Sequence, residues 1–168
     1  METNQNSKEY IIEAFFMLLK KKKMEDISIS DICNKAGVSR VTFYRNFKDK
    51  HDVINGYFML MIKKFVLEMG TRAHHDNYYD IAYHTFYTLK KEKDTMKALI
   101  DNNLSYMYQD LLNKYLTKNF LDSNLGTPLT AHLFSGALYN VSIYWVKNDC
   151  KENIDDIIKE FFKICNFN

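Results

Sequence analysis

Proline occurs once in this chain and glycine five times in 168 residues. Strands and hairpins depend on those residues for their turns, so the scarcity argues against a β fold and for an all-helical one. No apolar run reaches the roughly 18 residues that a membrane-spanning helix requires. The opening residues, Met1-Glu2-Thr3-Asn4-Gln5-Asn6, are polar and carry no apolar signal core, which leads to the expectation of a cytoplasmic protein without a membrane partner. The three cysteines, Cys33, Cys150 and Cys165, are odd in number and lack a metal-ligand spacing. They read as buried or surface thiols in a reducing cell. The sharper alternative, a redox sensor, lacks a basic activating cluster next to any of them. Also missing are a glycine-rich phosphate loop, a nucleophile elbow and a zinc signature, so neither an enzyme nor a bound cofactor is expected. His74 and His75 are adjacent and would point about 100° apart on a helix. With His84 they read as ordinary surface histidines rather than as a metal site.

What the chain does contain is a large apolar and aromatic fraction, 46% and 15% of residues respectively. That is enough for one sizeable core, or for a small head joined to a larger body. The net charge is only +2, but its distribution is uneven. Residues 1–50 hold ten Lys/Arg against seven Asp/Glu, a balance of +3, and residues 51–168 hold thirteen against fourteen, a balance of −1. A polyanion partner would find its positive charge in the first third.

That third contains the most informative stretch, Ser28 to Lys50. Ser28 is a good N-cap, with Asp31 three residues on as in a capping box. Ile29, Ile32, Cys33 and Ala36 then share a helical face. Gly37 supplies the positive φ that ends a helix in a sharp turn. Ser39 caps a second short helix whose inward positions are Val38, Phe43 and Phe47, and Asp49 with Asp52 caps the helix that follows. Two short helices around a glycine turn form the helix-turn-helix pattern, whose second helix enters the DNA major groove. Arg40 can donate a bidentate pair of hydrogen bonds to guanine. Thr42 can offer a hydroxyl and a methyl to base edges. Tyr44, Arg45, Asn46 and Lys50 can reach phosphates or bases.

Ahead of this motif, an amphipathic helix from Asn6 or Ser7 to about Lys20 carries an inward stripe of Ile11, Ile12, Phe15, Phe16, Leu18 and Leu19, preceded by an expected disordered arm over residues 1–6. The run Lys20–Lys23 reads either as a solvated helix end complementing the helix dipole or as supplementary phosphate contact. Beyond it, periodicity predicts a long helix from Asp49 to about Gly70 with Val53, Ile54, Tyr57, Phe58, Met61 and Phe65 recurring at helical spacing. Further helices are expected over about 78–91, 94–101, 104–120, 128–147 and 152–166, with the clearest loop at Asp122–Pro128. This makes about nine helices.

The combination of Ile32, Ala36-Gly37-Val38-Ser39, Thr42-Phe43-Tyr44, Phe47 and Lys50, following the helix at residues 7–20, resembles the TetR/AcrR family of bacterial transcription regulators. The chain departs from the family pattern at Cys33, where alanine is usual, and at Lys23-Met24, where a glycine-aromatic pair commonly closes the first helix. The resemblance implies a TetR-like all-α fold: a three-helix DNA-binding head, residues 1–50, and a helical body, residues 51–168, for effector binding and dimerisation. It implies a homodimer on a palindromic or near-palindromic double-stranded DNA operator. Ser28 and Tyr44 would bind phosphates, with Lys50 at the next helix start; Arg40 and Thr42 would read bases, with Asn46 at the rim; Ser39 and Arg45 complete the set.

For the body, the resemblance implies a cavity for a small, apolar or aromatic effector. Its candidate lining is Phe58, Met61, Phe65, Phe86, Met107, Tyr108, Leu111, Phe134 and Tyr139, although such stripes equally suit an ordinary core. It also implies a four-helix dimer interface from the last two helices, with Phe134, Gly136, Ala137, Val141, Tyr144, Trp145, Ile154, Ile158, Phe161 and Phe162 as candidates; these faces could instead fill the subunit's own core. The segment from Leu133 to Trp145 is similar to the dihydroxyacetone-kinase activator subgroup, where the input can be a protein partner. The expected function is a repressor released from DNA by an effector. The alternatives are an activator gated by a protein partner, and a helical interaction protein without DNA binding.

Overall fold

The computed structural model describes the backbone of residues 2–70, 78–122 and 125–165, with side chains for 6–67, 78–122 and 125–164. His74, His75 and the rest of the connector at 71–77, Ser123-Asn124 and the Cys165 side chain lie outside the described residues. The described residues form nine α-helices and one 3₁₀ turn, with no strand. They divide into two compact units, Met1–Ile62 and Lys63–Asn168.

The first unit contains α1 (Glu2–Leu19), a 3₁₀ turn (Met24–Asp26), α2 (Ile29–Ala36), α3 (Arg40–Asn46) and the opening turns of α4 (Lys50–Gly70). The helix α1 begins at Glu2 rather than at a cap near Ser7. No proline or glycine interrupts residues 2–7, and an acidic residue at the start complements the helix dipole. Ile11, Ile12, Phe15, Phe16 and Leu19 of α1 are buried, as are Ile32 and Cys33 of α2 and Phe43 of α3. Burying each such side chain stabilises by roughly 1.5–3 kcal/mol relative to exposure. Val53, Ile54 and Phe58 of α4 are buried too. The Tyr57 ring lies 4.6 Å from Phe16. A Cβ at Gly56 would come within 2.7 Å of Phe47 Cε1, so glycine is what lets α4 close on that ring.

The second unit contains α5 (Tyr78–Lys91), α6 (Lys93–Asp101), α7 (Tyr106–Asp122), α8 (Pro128–Lys147) and α9 (Ile154–Cys165). The pair α7 and α8 packs most extensively, and α8 also takes α5 and α6 against it, while α9 lies on α5. An aromatic cluster fills the centre. Phe134 meets Tyr78 at 5.2 Å, Phe120 at 5.6 Å and Phe161 at 5.7 Å between ring centroids. Phe161 reaches Phe86 at 6.2 Å, and Phe86 stands edge-on to Trp145 at 5.8 Å. Polar contacts cross the α7–α8 seam: the Tyr139 hydroxyl donates to Ser105 Oγ at 3.0 Å, and Ser135 Oγ donates to Asn113 Oδ1. A one-residue slip of either helix would strand these groups, so they set its register.

Local signals bound α8. Thr127 caps it by accepting from Thr130 N–H at 3.2 Å, with Pro128 in the first turn. It ends where Asp149 and Cys150 take φ of 58° and 51°, and the Cys150 N–H donates to the Trp145 carbonyl at 2.9 Å. The apolar stripe that the sequence suggested for α8 splits into two faces. Phe134, Leu138 and Trp145 are fully buried, whereas Leu133 and Tyr144 are each 62% exposed. Apolar residues on both sides of one helix share a period, and the period alone does not say which side has a neighbour. Among the described residues, no helix is long and apolar enough to cross a membrane.

Candidate nucleic-acid interface

The helix-turn-helix geometry is built by local hydrogen bonds. Ser28 Oγ accepts from Asp31 N–H at 3.0 Å, and Asp31 Oδ2 accepts from Ser28 N–H at 3.0 Å, a complete capping box at the start of α2. Lys22 Nζ donates to the same carboxylate at 3.1 Å. The Ser28 N–H and then Lys22 hold the Asp31 carboxyl below its ordinary range. Gly37 takes φ 66°, ψ 32°, and Val38 N–H bonds to the Cys33 carbonyl at 3.0 Å. Ser39 then caps α3, accepting from Thr42 N–H at 3.0 Å.

Phe43 and Phe47 anchor α3 inward, and the Tyr44 ring leans edge-on against Phe43 at 5.4 Å. The outward face is therefore Arg40, Val41, Tyr44 and Arg45, continued by Lys48, all exposed. Two guanidiniums, a phenol and no carboxylate on α3 suit an anionic surface rich in acceptors. Thr42 and Asn46 are half-buried at the flank. The Thr42 hydroxyl lies 2.9 Å from Ser39 Oγ, and Asn46 Nδ2 donates to the Thr42 carbonyl at 2.8 Å.

Lys50 sits in the first turn of α4, where its ammonium donates to the carbonyls of Met24 at 2.6 Å and Ile27 at 2.8 Å. Two of its three N–H groups thus fasten the α1–α2 connection. Of the four lysines at 20–23, Lys22 is committed to Asp31. Val41, which is outside the set expected to touch DNA, shares the exposed face of Arg40, Tyr44 and Arg45.

The residues expected to line a cavity are divided between the two compact units. Phe58 and Met61 belong to the first unit and the other seven to the second. Phe86, Tyr108 and Phe134 are buried in ring contact with neighbours. Phe65 stands edge-on to His84 at 6.3 Å and to Tyr115 at 5.9 Å. Met107 is buried, and Leu111 and Tyr139 are half-buried. An open groove of about 490 Å³ lies elsewhere, between Asn113, Lys114, Thr117, Lys118, Leu121 and Asp122 of α7 and His132 of α8. Of the residues expected at a dimer interface, Phe134, Trp145, Ile154, Ile158 and Phe161 fill the subunit's own core. Tyr144 is exposed, and Gly136, Ala137, Val141 and Phe162 are half-buried, with open space where a Gly136 side chain would project.

The family model described as bacterial regulatory proteins of the TetR family matches residues 11–56, the helix-turn-helix with its flanking helices. A second model, a transcriptional regulator C-terminal region, matches residues 76–167, which is more than half the chain. The chain belongs to the TetR family. Solved structures agree on the TetR fold. Lin0861 of Listeria innocua aligns with a TM-score of 0.84 at 17% identity, covering 99% of this chain and 93% of that one. The fatty acid degradation regulator FadR of Bacillus halodurans aligns at 0.62 and 20% identity, covering 94% and 93%. A Clostridium perfringens protein described as a candidate fatty acid metabolism regulator aligns at 0.59 and 19% identity, covering 95% and 98%. No curated protein matches the chain. As a TetR-family transcriptional regulator, the protein carries its helix-turn-helix in α2 and α3 and its C-terminal region in α5–α9.

Proposed function

We propose that this regulator is a cytoplasmic, homodimeric repressor whose head binds a palindromic or near-palindromic operator and whose body receives a small apolar or aromatic effector that releases it. The observation that carries the DNA reading is the outward face of α3: basic, aromatic and free of carboxylates, on a helix capped by Ser39 after the Gly37 turn. Arg40 reads bases and Arg45 and Tyr44 hold phosphates, with Thr42 and Asn46 at the rim. Ser28 and Ser39 serve the backbone contacts from the two helix starts, where N–H groups favour anions. Lys50 joins through the N–H its two carbonyl bonds leave over.

Residues 1–50 are the DNA-binding part and residues 51–168 the effector and dimerisation part, with α4 as the lever between them. Release requires that the effector bind the two states with different affinity. Two structural relatives are described as regulators of fatty acid degradation and metabolism, so acyl compounds head the panel to be tried. Dimerisation falls to the outer α8 face, Leu129, Leu133, Gly136, Ala137 and Tyr144. Tyr144→Glu is expected to give monomers in sedimentation and to abolish tight operator binding.

The test is a fluorescence-anisotropy titration on DNA upstream of the protein's own gene against random DNA, over a series of salt concentrations, with and without the panel. Specific, salt-sensitive binding that an acyl or aromatic compound reverses supports the reading. Absence of salt-sensitive binding makes it a helical interaction protein instead. One observation favours a second reading, an activator gated by a protein partner: the aromatic centre of the body is packed ring on ring. Specific DNA binding that no compound reverses, and that a protein from cell extract modifies, selects that reading.

A further inference from the structure

Val41 is 79% exposed, more than any other large hydrophobic side chain among the described residues. A single exposed apolar residue is ordinary on a protein surface. This one occupies the first turn of a seven-residue helix, between Arg40 and the outward pair Tyr44 and Arg45. Valine is a poor helix former, so it does not help so short a helix to form. Nor does it help to anchor α3, which Phe43 and Phe47 do, and Tyr44 lies against Phe43. Its two methyls form an apolar spot within an otherwise polar and cationic face.

We infer that Val41 is a specificity-determining residue that reads the C5-methyl group of a thymine in the major groove. The inference rests on the DNA-binding reading of α3. Residues in the N-terminal part of a recognition helix are the ones that meet base edges. Valine has no donor or acceptor in its side chain, so whatever it reads is apolar. Thymine's methyl is the apolar group the four bases present in that groove. One residue of helix rise, about 1.5 Å, is less than a base step of about 3.4 Å. The thymine is therefore sought in the same half-site that Arg40 reads.

The experiment uses the full chain. Operators are selected from random duplexes, and each thymine of the winner is replaced singly by deoxyuridine, which removes only the methyl. Dissociation constants are measured for the wild type and for Val41→Ala, a change to a better helix former at an exposed site. At one thymine per half-site, the wild type is expected to bind about fourfold more weakly, the effect of losing one methyl-sized contact. Val41→Ala is expected to be indifferent to that replacement while keeping its response at other positions. Binding unaffected by any replacement, or the same sensitivity in Val41→Ala, overturns the inference and leaves the DNA-binding reading intact. Failure to enrich any sequence, with no salt-sensitive binding, overturns the DNA-binding reading itself and the inference with it.

Discussion

The head and the body are both helical and both rich in buried phenylalanine, but they are specified in different ways. In the head, each turn is set by residues a few positions apart: Ser28 with Asp31, Gly37 with Cys33, Ser39 with Thr42. In the body, the decisive contacts join residues far apart in the chain. Tyr78 donates to the Leu125 carbonyl at 2.6 Å, Phe134 meets Phe161, and Tyr139 donates to Ser105. A short reading helix must be held rigid without a large core of its own, so caps and a close-packed Gly56 supply what volume does not. The body has the volume, and its surface is left with an apolar α8 face at Leu129, Leu133 and Tyr144.

The largest effect is expected at the aromatic centre of the body. Phe134→Ala is expected to cost about 3–5 kcal/mol, because the ring is fully buried against three others. Trp145, the chain's sole tryptophan, lies in the second unit, so urea melts followed by its fluorescence report the loss there. A loss under 1 kcal/mol would mean the centre is not what holds the body.

Both units carry groups that couple stability to pH, and in the head burial pushes the Cys33 thiol up. Burial pushes the Tyr108 phenol up to about 12, offset in part by the neighbouring Ser142 hydroxyl. A raised folded value means that this contribution is intact below the unfolded value of about 10 and is lost as pH rises towards 12. The body should therefore lose on the order of 2 kcal/mol in alkali, with Tyr108→Phe flattening the profile. Asp31 in the head runs the other way. Its carboxyl is held low, so its cap contributes above the ordinary carboxylate range and fails as acid protonates it. Amide protection factors in the first turn of α2, taken after the intrinsic pH dependence of exchange is divided out, should fall in acid and stay level in Asp31→Asn. Asp149 in the body is also held low, by Lys97 and Lys93, so acid loosens both units.

A smaller effect tests the head's local logic. Gly37 has φ 66° and open space where a Cβ would go, so Gly37→Ala meets no clash and incurs only the left-handed backbone penalty of about 1–2 kcal/mol. Calorimetry should show that loss, and operator affinity should fall with it. An unchanged melt would mean the turn is not under φ control.

This division explains what could be read from the sequence. The all-α fold, the capping box at Ser28, the cap at Ser39, the left-handed Gly37 and the Thr127-Pro128 start of α8 were legible, because each is a short-range signal with its own chemistry. Periodicity also identified the buried set Ile11, Ile12, Phe15, Phe16 and Leu19. It did not show that Leu133 and Tyr144 face outward while Phe134 and Trp145 face inward, since a helix apolar on two sides gives one period for both. Nor could it show that the Lys50 ammonium bonds to carbonyls more than twenty residues away in sequence, or that Val41 stands in solvent. Those facts depend on which neighbours the fold supplies.

Whether the outward face of α3 reads DNA is decided by Arg40→Ala. Affinities for the selected operator and for a scrambled duplex are measured by anisotropy across a salt series, for wild type and variant. The expected loss is about 1–3 kcal/mol on the operator, confined to preference at one base pair per half-site, with a much smaller loss on the scrambled duplex. Equal losses on both duplexes would contradict the base-reading role, leaving Arg40 as one more phosphate contact and α3 without its proposed reader.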